Sequence, residues 1–387
     1  MADTMAHSAD WFRAITLAER AALYRAGADN EVGPREGSER AQKRLERWRA
    51  SLPFNKGDLF KQRLAVDGLT EEMLLLILNE PEEALKSRIV ATPQWLTDIT
   101  EAFSRVNFSH DMLETQTKNE AKKGLHGFLG VVLPLLNQGL ERLTTRASAL
   151  RRSSAQAPFE LADLPALFAP ALLERVFQAL NRTLVLELNV ARLQGDVSGG
   201  TEEERFNSFM QRLRNRGRAL TLLKEYPVLA RRIWLCISQW VDSTCEFLER
   251  LSADAEKISE IFCAGGQLGV LEQAQVGPGD CHRNGRSVTI AKFSSGAKLV
   301  YKPRALDIEE HFHRLLEWLN ERGDHPPFKA LRILNQGAYG WVEFIAAEGC
   351  TSEEGVRRFF ERQGGYLALL YSLEATDFHF ENLIASG

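Results

Sequence analysis

A few side chains near the end of the chain have the types and spacing for phosphoryl-transfer chemistry. Asp377 and Asn382 stand five apart in Asp377-Phe-His379-Phe-Glu-Asn382, and Lys302 closes the short run Leu299-Val-Tyr-Lys302. A carboxylate can orient or deprotonate an acceptor hydroxyl, an amide oxygen can hold magnesium, and a lysine on a strand can present a point charge to phosphates. Upstream lies Gly277-Pro278-Gly279-Asp280-Cys281-His282-Arg283-Asn284-Gly285-Arg286, loaded with chain breakers. Glycine in such a loop lets backbone N–H groups approach phosphates. Taken singly these signals are weak: Gly277, Gly279 and Gly285 do not match GxGxxG, and an Asp and an Asn at this spacing recur by chance. Two rival chemistries read less well. His379-Phe-Glu381 would need a distal histidine to complete an iron-binding facial triad, and six residues follow Glu381. Cys281 and His282 are adjacent in an extended loop, where side chains point apart, so Cys281 is incidental.

Those residues need a frame, and the pattern from Gly265 onward supplies one. Val270–Val276 reads as extended, Val288–Phe293 and Lys298–Lys302 as a hairpin turning at Ser294-Ser295-Gly296, and Asp307–Leu319 as a helix. A second hairpin, Leu331–Asn335 with Trp341–Ala346, precedes a helix at Ser352–Leu373 that leads into Asp377. Strand, glycine-containing loop, strand, lysine-bearing strand, helix, two strands, helix and Asp-x-x-x-x-Asn is the order of a protein-kinase fold. Lys302 is therefore expected to meet an acidic partner on the helix after Pro303, with Glu310 and Glu317 as candidates.

The first two-thirds of the chain is helical by periodicity. Trp11, Ile15, Ala18 and Ala22 make one stripe, with others in Glu71–Leu78, Phe128–Leu143, Ala171–Leu193 and Pro227–Phe262. Arg151–Pro158 reads as a linker and Gly195–Gly200 as a loop. Arg212, Arg214, Arg216 and Arg218 could hold an acidic peptide, but arginines two apart spread around a helix, and the run reads as a solvated face. His311 and His313 lie two apart, not the four of a chelating helix pair, and read as surface histidines. With 48 Lys plus Arg against 52 Asp plus Glu, a net charge of −4 argues against a nucleic-acid binder. Neither a signal sequence nor a transmembrane run is seen, and the five scattered cysteines include no CxxC pair, so no zinc is expected and the chain reads as cytoplasmic.

Gly279-Asp-Cys-His282, Gly285-Arg286-Ser-Val288, Leu299-Val-Tyr-Lys302-Pro303-Arg304, Tyr339-Gly-Trp341-Val-Glu343-Phe and Thr376-Asp377-Phe-His379-Phe-Glu-Asn382-Leu-Ile-Ala together resemble the dehydratase domain of class II lanthipeptide synthetases, over roughly residues 125 to 387. The resemblance implies ATP- and magnesium-dependent phosphorylation of Ser and Thr in a ribosomal precursor peptide, followed by phosphate elimination to dehydroamino acids. It assigns phosphorylation to Lys302, Asp377, His379 and Asn382, with Asn382 on Mg2+, and elimination to Asp280 and His282. Gly279 and Gly285 belong with the nucleotide loop.

The expected fold is α+β: an N-terminal helical region over 1–125, a helical part of the dehydratase domain over 126–265, and a kinase-like core over 266–387. Gly387 comes five residues after Asn382, before the second magnesium ligand of kinases and before any zinc cyclase. The chain thus reads as an incomplete dehydratase domain, silent by itself and with apolar side chains of Ser352–Leu373 left in water, whose remainder could be a separate chain. The alternatives are a non-catalytic peptide-binding remnant and a kinase-like phosphotransferase with another substrate.

Overall fold

Thr16-Leu-Ala-Glu19 starts the first α-helix with a reciprocal cap. In the computed structural model Glu19 Oε2 accepts from Thr16 N at 2.8 Å and from Thr16 Oγ1 at 2.7 Å, while Glu19 N donates to Thr16 Oγ1 at 3.3 Å. The structure describes residues 8–26, 39–105, 127–153, 157–277, 284–376, 378 and 383–386. Helix α1 (Leu17–Ala26) is separated by the extended Ile15 from a 3-10 turn at Ala9–Ala14. This corrects the single stripe expected through Trp11, Ile15, Ala18 and Ala22. The cap restarts the helical phase, so Ala21 is buried while Ala18 and Ala22 are exposed.

The chain divides into two compact units. The first takes in Met1–Ser109, Asn119–Gln138 and Val176–Leu235. Its early helices are α1, α2 (Glu39–Ala50), α3 (Leu59–Val66), α4 (Glu71–Asn79), α5 (Glu82–Arg88) and α6 (Gln94–Ser104). Ala21, Leu45, Phe60, Leu64, Leu74 and Ile77 close one core among them. Helices α7 (Leu133–Ser153), α8 (Leu164–Leu193) and α11 (Pro227–Phe262) are each divided between the two units, and α9 (Glu202–Leu213) and α10 (Arg216–Glu225) belong to the first. Pro227 opens α11, where its missing N–H goes unneeded. Among the described residues no helix is long and apolar enough to cross a membrane.

The second unit comprises His110–Lys118, Gly139–Arg175 and Cys236–Gly387. It contains an antiparallel sheet of β1 (Leu271–Val276), β2 (Thr289–Phe293), β3 (Lys298–Lys302), β4 (Ile333–Asn335) and β5 (Gly340–Glu343), in the order β1-β2-β3-β5-β4. Helix α12 (Asp307–Arg322) joins β3 to β4, and α13 (Glu353–Ser372) follows β5. The fold class is therefore α+β, as expected, and the elements come in the expected order.

Period-2 alternation gives the sheet two different faces. Thr289, Ala291, Phe293, Leu299, Tyr301 and Trp341 are buried on the face that α11 covers. Phe247 of α11 is the centre of that contact, with ring centroids 5.2 Å from Tyr301, 5.7 Å from Trp341 and 5.7 Å from Phe168. About two turns further along α11, the buried Asp254 accepts from Trp341 Nε1 at 2.9 Å and from Gln336 Nε2 at 2.6 Å. That carboxylate holds the β4–β5 turn against the helix. Asp254→Ala strands a buried indole N–H and should cost about 2–4 kcal/mol, with Asp254→Asn costing less because one acceptor survives. Urea unfolding of the two variants measures the difference.

By contrast α13 has no buried residue. Phe360, Leu367 and Leu373 are exposed, and Phe359, Leu369 and Leu370 are half-buried.

Candidate functional site

Strand β3 turns Tyr301 toward α11, so Val300 and Lys302 share the opposite face. Tyr301 is locked in place: its hydroxyl accepts from Arg250 Nη1 at 2.5 Å, and burial pushes its phenol above the ordinary value. Val300 pairs with Ile290 on β2 and with Val342 on β5, which puts these three side chains in one row across the sheet. Ile290 and Val300 are half-buried and Val342 is buried. An apolar row of this kind, one residue pair from a lysine, can take a flat aromatic base while the ammonium takes its phosphates.

Lys302 is half-buried, and its Nζ lies 3.6 Å from Glu309 Oε1 on α12. The partner is Glu309, which corrects the expectation of Glu310 or Glu317. One residue along a helix is a turn of about 100°, so Glu310 points instead to Arg314 at 2.5 Å and to Asn335 Nδ2 at 2.9 Å. Glu317 is exposed. Arg304 shares Glu309, its Nη2 lying 2.5 Å from the same buried oxygen. Burial alone would raise the Glu309 carboxyl, but the Arg304 and Lys302 cations beside it hold it below its ordinary value. Burial holds the Lys302 ammonium below its ordinary value, against the pull of Glu309 and with the repulsion of Arg304. With Arg304 also neutralising Glu309, Lys302 is a cation that a phosphate can engage without orphaning the carboxylate.

His313 is not the surface residue expected. Helix α12 turns it inward, where its Nδ1 accepts from Leu331 N at 3.2 Å, while His311 is exposed. Burial, reinforced by the Lys302 charge and opposed by Glu309 and Glu317, keeps the His313 imidazole below its ordinary pKa.

The glycine loop is anchored at its two ends. Gly277 and Gly285 both have φ of +81°, a region that side chains rarely adopt. Gly277 N donates to Val288 O at 3.0 Å. A Cβ on Gly285 would lie 2.8 Å from Gln239 Cβ, so this glycine also serves close packing on α11. Next to it, Arg286 makes a bidentate pair with Glu246 of α11 at 2.7 and 2.9 Å, and Arg175 donates to Ser287 Oγ at 2.9 Å. Glu246 also pairs with Arg250, the residue that holds Tyr301. One charged network thus ties the loop base and β3 to the same helix.

Gly279, Asp280, His282, Asp377, His379 and Asn382 lie outside the described residues. Phe378 and Leu383 are described, and both line a cleft of about 270 Å³ together with His313 of α12 and Tyr366 and Leu370 of α13. Glu348 N donates to Ala385 O at 2.8 Å, pinning the strand of chain after Leu383. Among the described residues no group of three or more His, Cys, Asp or Glu could hold a metal ion.

Sequence reasoning passed over Glu309, Arg304 and Glu246. The acidic first turn of α12, with Asp307, Glu309 and Glu310, was the visible signal for the first. Nothing local marks Glu246, whose partner Arg286 is 40 residues away.

Residues 226–387 match a family described as a domain of unknown function, DUF4135. The chain is also similar to the lacticin 481/lactococcin biosynthesis protein LcnDR2 of Lactococcus lactis subsp. lactis, 26% identical over 225 residues, which is 55% of this chain and 24% of that protein. The chain therefore spans about a quarter of the length of this relative. These matches bear out the resemblance to the class II lanthipeptide synthetases.

Proposed function

We propose that the chain acts in lanthipeptide biosynthesis, as a kinase-type dehydratase that phosphorylates Ser and Thr of a ribosomal precursor peptide and then eliminates the phosphate. The observation that carries this reading is the Lys302–Glu309 pair at 3.6 Å, on a third strand and the helix after it, beside the Ile290–Val300–Val342 row. A lysine–glutamate pair between those two elements is what kinases use to orient ATP. The sheet is closed by α11 on one face, which leaves the Lys302 face for the nucleotide. The biosynthetic role is supported by the similarity to the lacticin 481/lactococcin biosynthesis protein.

In this reading Lys302 engages the α- and β-phosphates of ATP. The peptide hydroxyl, its proton passing to Asp377, attacks the γ-phosphorus, and the bond to the bridging oxygen breaks to release ADP. The second half-reaction removes the α-proton of the phosphorylated residue, forms the Cα–Cβ double bond and expels phosphate. Asp280 and His282 are the groups for that step, one able to take a proton and one able to stabilise the departing anion. Magnesium, when bound, would neutralise charge on the phosphates; Asn382 is the ligand that the resemblance implies.

The test separates neighbouring glutamates. Glu309→Ala should weaken ATP binding and lower peptide phosphorylation by about 10–100-fold, because it frees Lys302 and Arg304 from their common anchor. Glu310→Ala should stay within about twofold of the parent, since its partners are Arg314 and Asn335. Fluorescence titration with an ATP analogue and mass spectrometry of the peptide read both. Equal effects at the two positions would refute the pairing, and a full-length enzyme carrying this chain that adds no phosphate to the peptide and removes no water from it would refute the dehydratase reading.

A further inference from the structure

The first unit holds a cleft of about 500 Å³ whose walls carry Arg13, Arg20, Arg40 and Arg44 against Glu80 and Glu82. Each carboxylate has one ion pair, Glu82 with Arg13 at 3.1 Å and Glu80 with Arg88 at 2.7 Å, and Glu80 keeps its second oxygen buried and unbonded. Arg20 reaches no further acid. It donates to the carbonyl oxygens of Phe12 at 3.3 Å and Ile77 at 3.5 Å, which fixes its guanidinium without neutralising it. Among the described residues the side chains of Arg40 and Arg44 meet no ion-pair or hydrogen-bond partner. Burial pulls Arg20 below its ordinary value, Glu80 and Glu82 oppose this, and the nearby Arg44 charge adds to it.

Two arginines of the later run, by contrast, have partners of their own. Arg212 pairs with Asp196 at 3.3 Å and Arg216 donates to Arg105 O. A solvated face has no reason to crowd like charges into a concavity, whereas an anion there relieves their repulsion. The cations also continue in a line. Arg40, Arg44 and Arg47 recur at steps of four and three on α2, so they share one side of the helix and span about 10 Å. A single phosphate could meet one or two of them. An extended chain, with alternate side chains about 7 Å apart, could set successive carboxylates against all three. Ala41, Leu78 and Pro81 in the same cleft add an apolar surface for its other side chains.

We propose that this cleft binds an acidic segment of polypeptide, through Arg40 and Arg44 with Arg20 behind them. The site stands apart from the nucleotide chemistry and depends on none of its residues. The net charge of −4 and the two glutamates in the wall disfavour a nucleic acid as occupant.

Fluorescence anisotropy with a labelled peptide of alternating Glu and Ala tests it, at low and at physiological salt. The unaltered chain should bind this peptide and not its Gln-for-Glu counterpart, with affinity falling as salt rises. The double variant Arg40→Gln/Arg44→Gln should weaken binding by about tenfold or more, and Arg40→Lys/Arg44→Lys should restore most of it. Arg212→Gln should leave binding unchanged. Both altered sites are exposed, so thermal melting should not move. Equal binding by the double variant, or by the Gln peptide, would overturn the proposal. Displacement of the peptide by inorganic phosphate or a short DNA duplex at equal or lower concentration would also overturn it, by identifying a general anion site.

Discussion

In the full-length enzyme that carries this chain, Lys302→Ala should lower phosphorylation of a Ser/Thr-containing precursor peptide by about 10²–10³-fold while leaving the protein folded. The side chain is a half-buried cation whose ion-pair partner among the described residues is Glu309, and its neighbour Tyr301 is held independently by Arg250 and the Phe247 cluster. Removing it therefore takes away a phosphate contact without opening the core. Arg304 remains to neutralise Glu309, so the variant does not leave a bare buried carboxylate. Lys302→Arg should rescue little, because a planar fork replaces a point charge in a space already shared with Arg304. Mass spectrometry of the peptide and a urea unfolding curve read the two consequences. A Lys302→Ala protein that phosphorylates at the parental rate would remove the lysine from the chemistry.

His282→Ala should have the opposite signature: phosphate appears on the peptide and stays there. Loss of a group that serves proton transfer or leaving-group stabilisation costs about 10²–10⁴-fold in the step it serves. Phosphoryl transfer, which rests on Lys302 and Asp377, should change by less than about tenfold. The peptide should accumulate with phosphate mass gained and no water lost. Accumulation of unmodified peptide, with normal elimination from a peptide phosphorylated beforehand, would move His282 to the first half-reaction.

The parts of the frame written in local chemistry were legible. Ser294-Ser295-Gly296 and the alternation on either side of it specify the β2–β3 hairpin, and Pro227 to Phe262 emerged as one helix with those bounds. Lys302 could be placed because a strand end followed by proline is a local signal. Its partner could not, since the first turn of α12 offers several acids and the helical phase is set by how Leu306 and Leu316 bury themselves. Gly285 looked like a phosphate-loop glycine; its contact with Gln239 is a tertiary fact with no trace in the neighbouring residues. The same holds for the half-buried Glu246 and the buried Asp254, acids of a long helix whose partners lie 40 and 87 residues on. The stripe drawn through Trp11, Ile15, Ala18 and Ala22 missed the Thr16–Glu19 cap, which restarts the helical phase.

The central claim is that the face of the sheet bearing Lys302 receives ATP. Its most direct measurement is labelling with an acyl-phosphate derivative of ATP, which transfers its acyl group to a lysine amine lying against the phosphates. Peptide mapping should find the label on Lys302, and excess Mg-ATP should suppress it while leaving labels on exposed lysines such as Lys43 unchanged. Lys302 unlabelled under these conditions, or labelled to the same extent with and without ATP, would contradict the account.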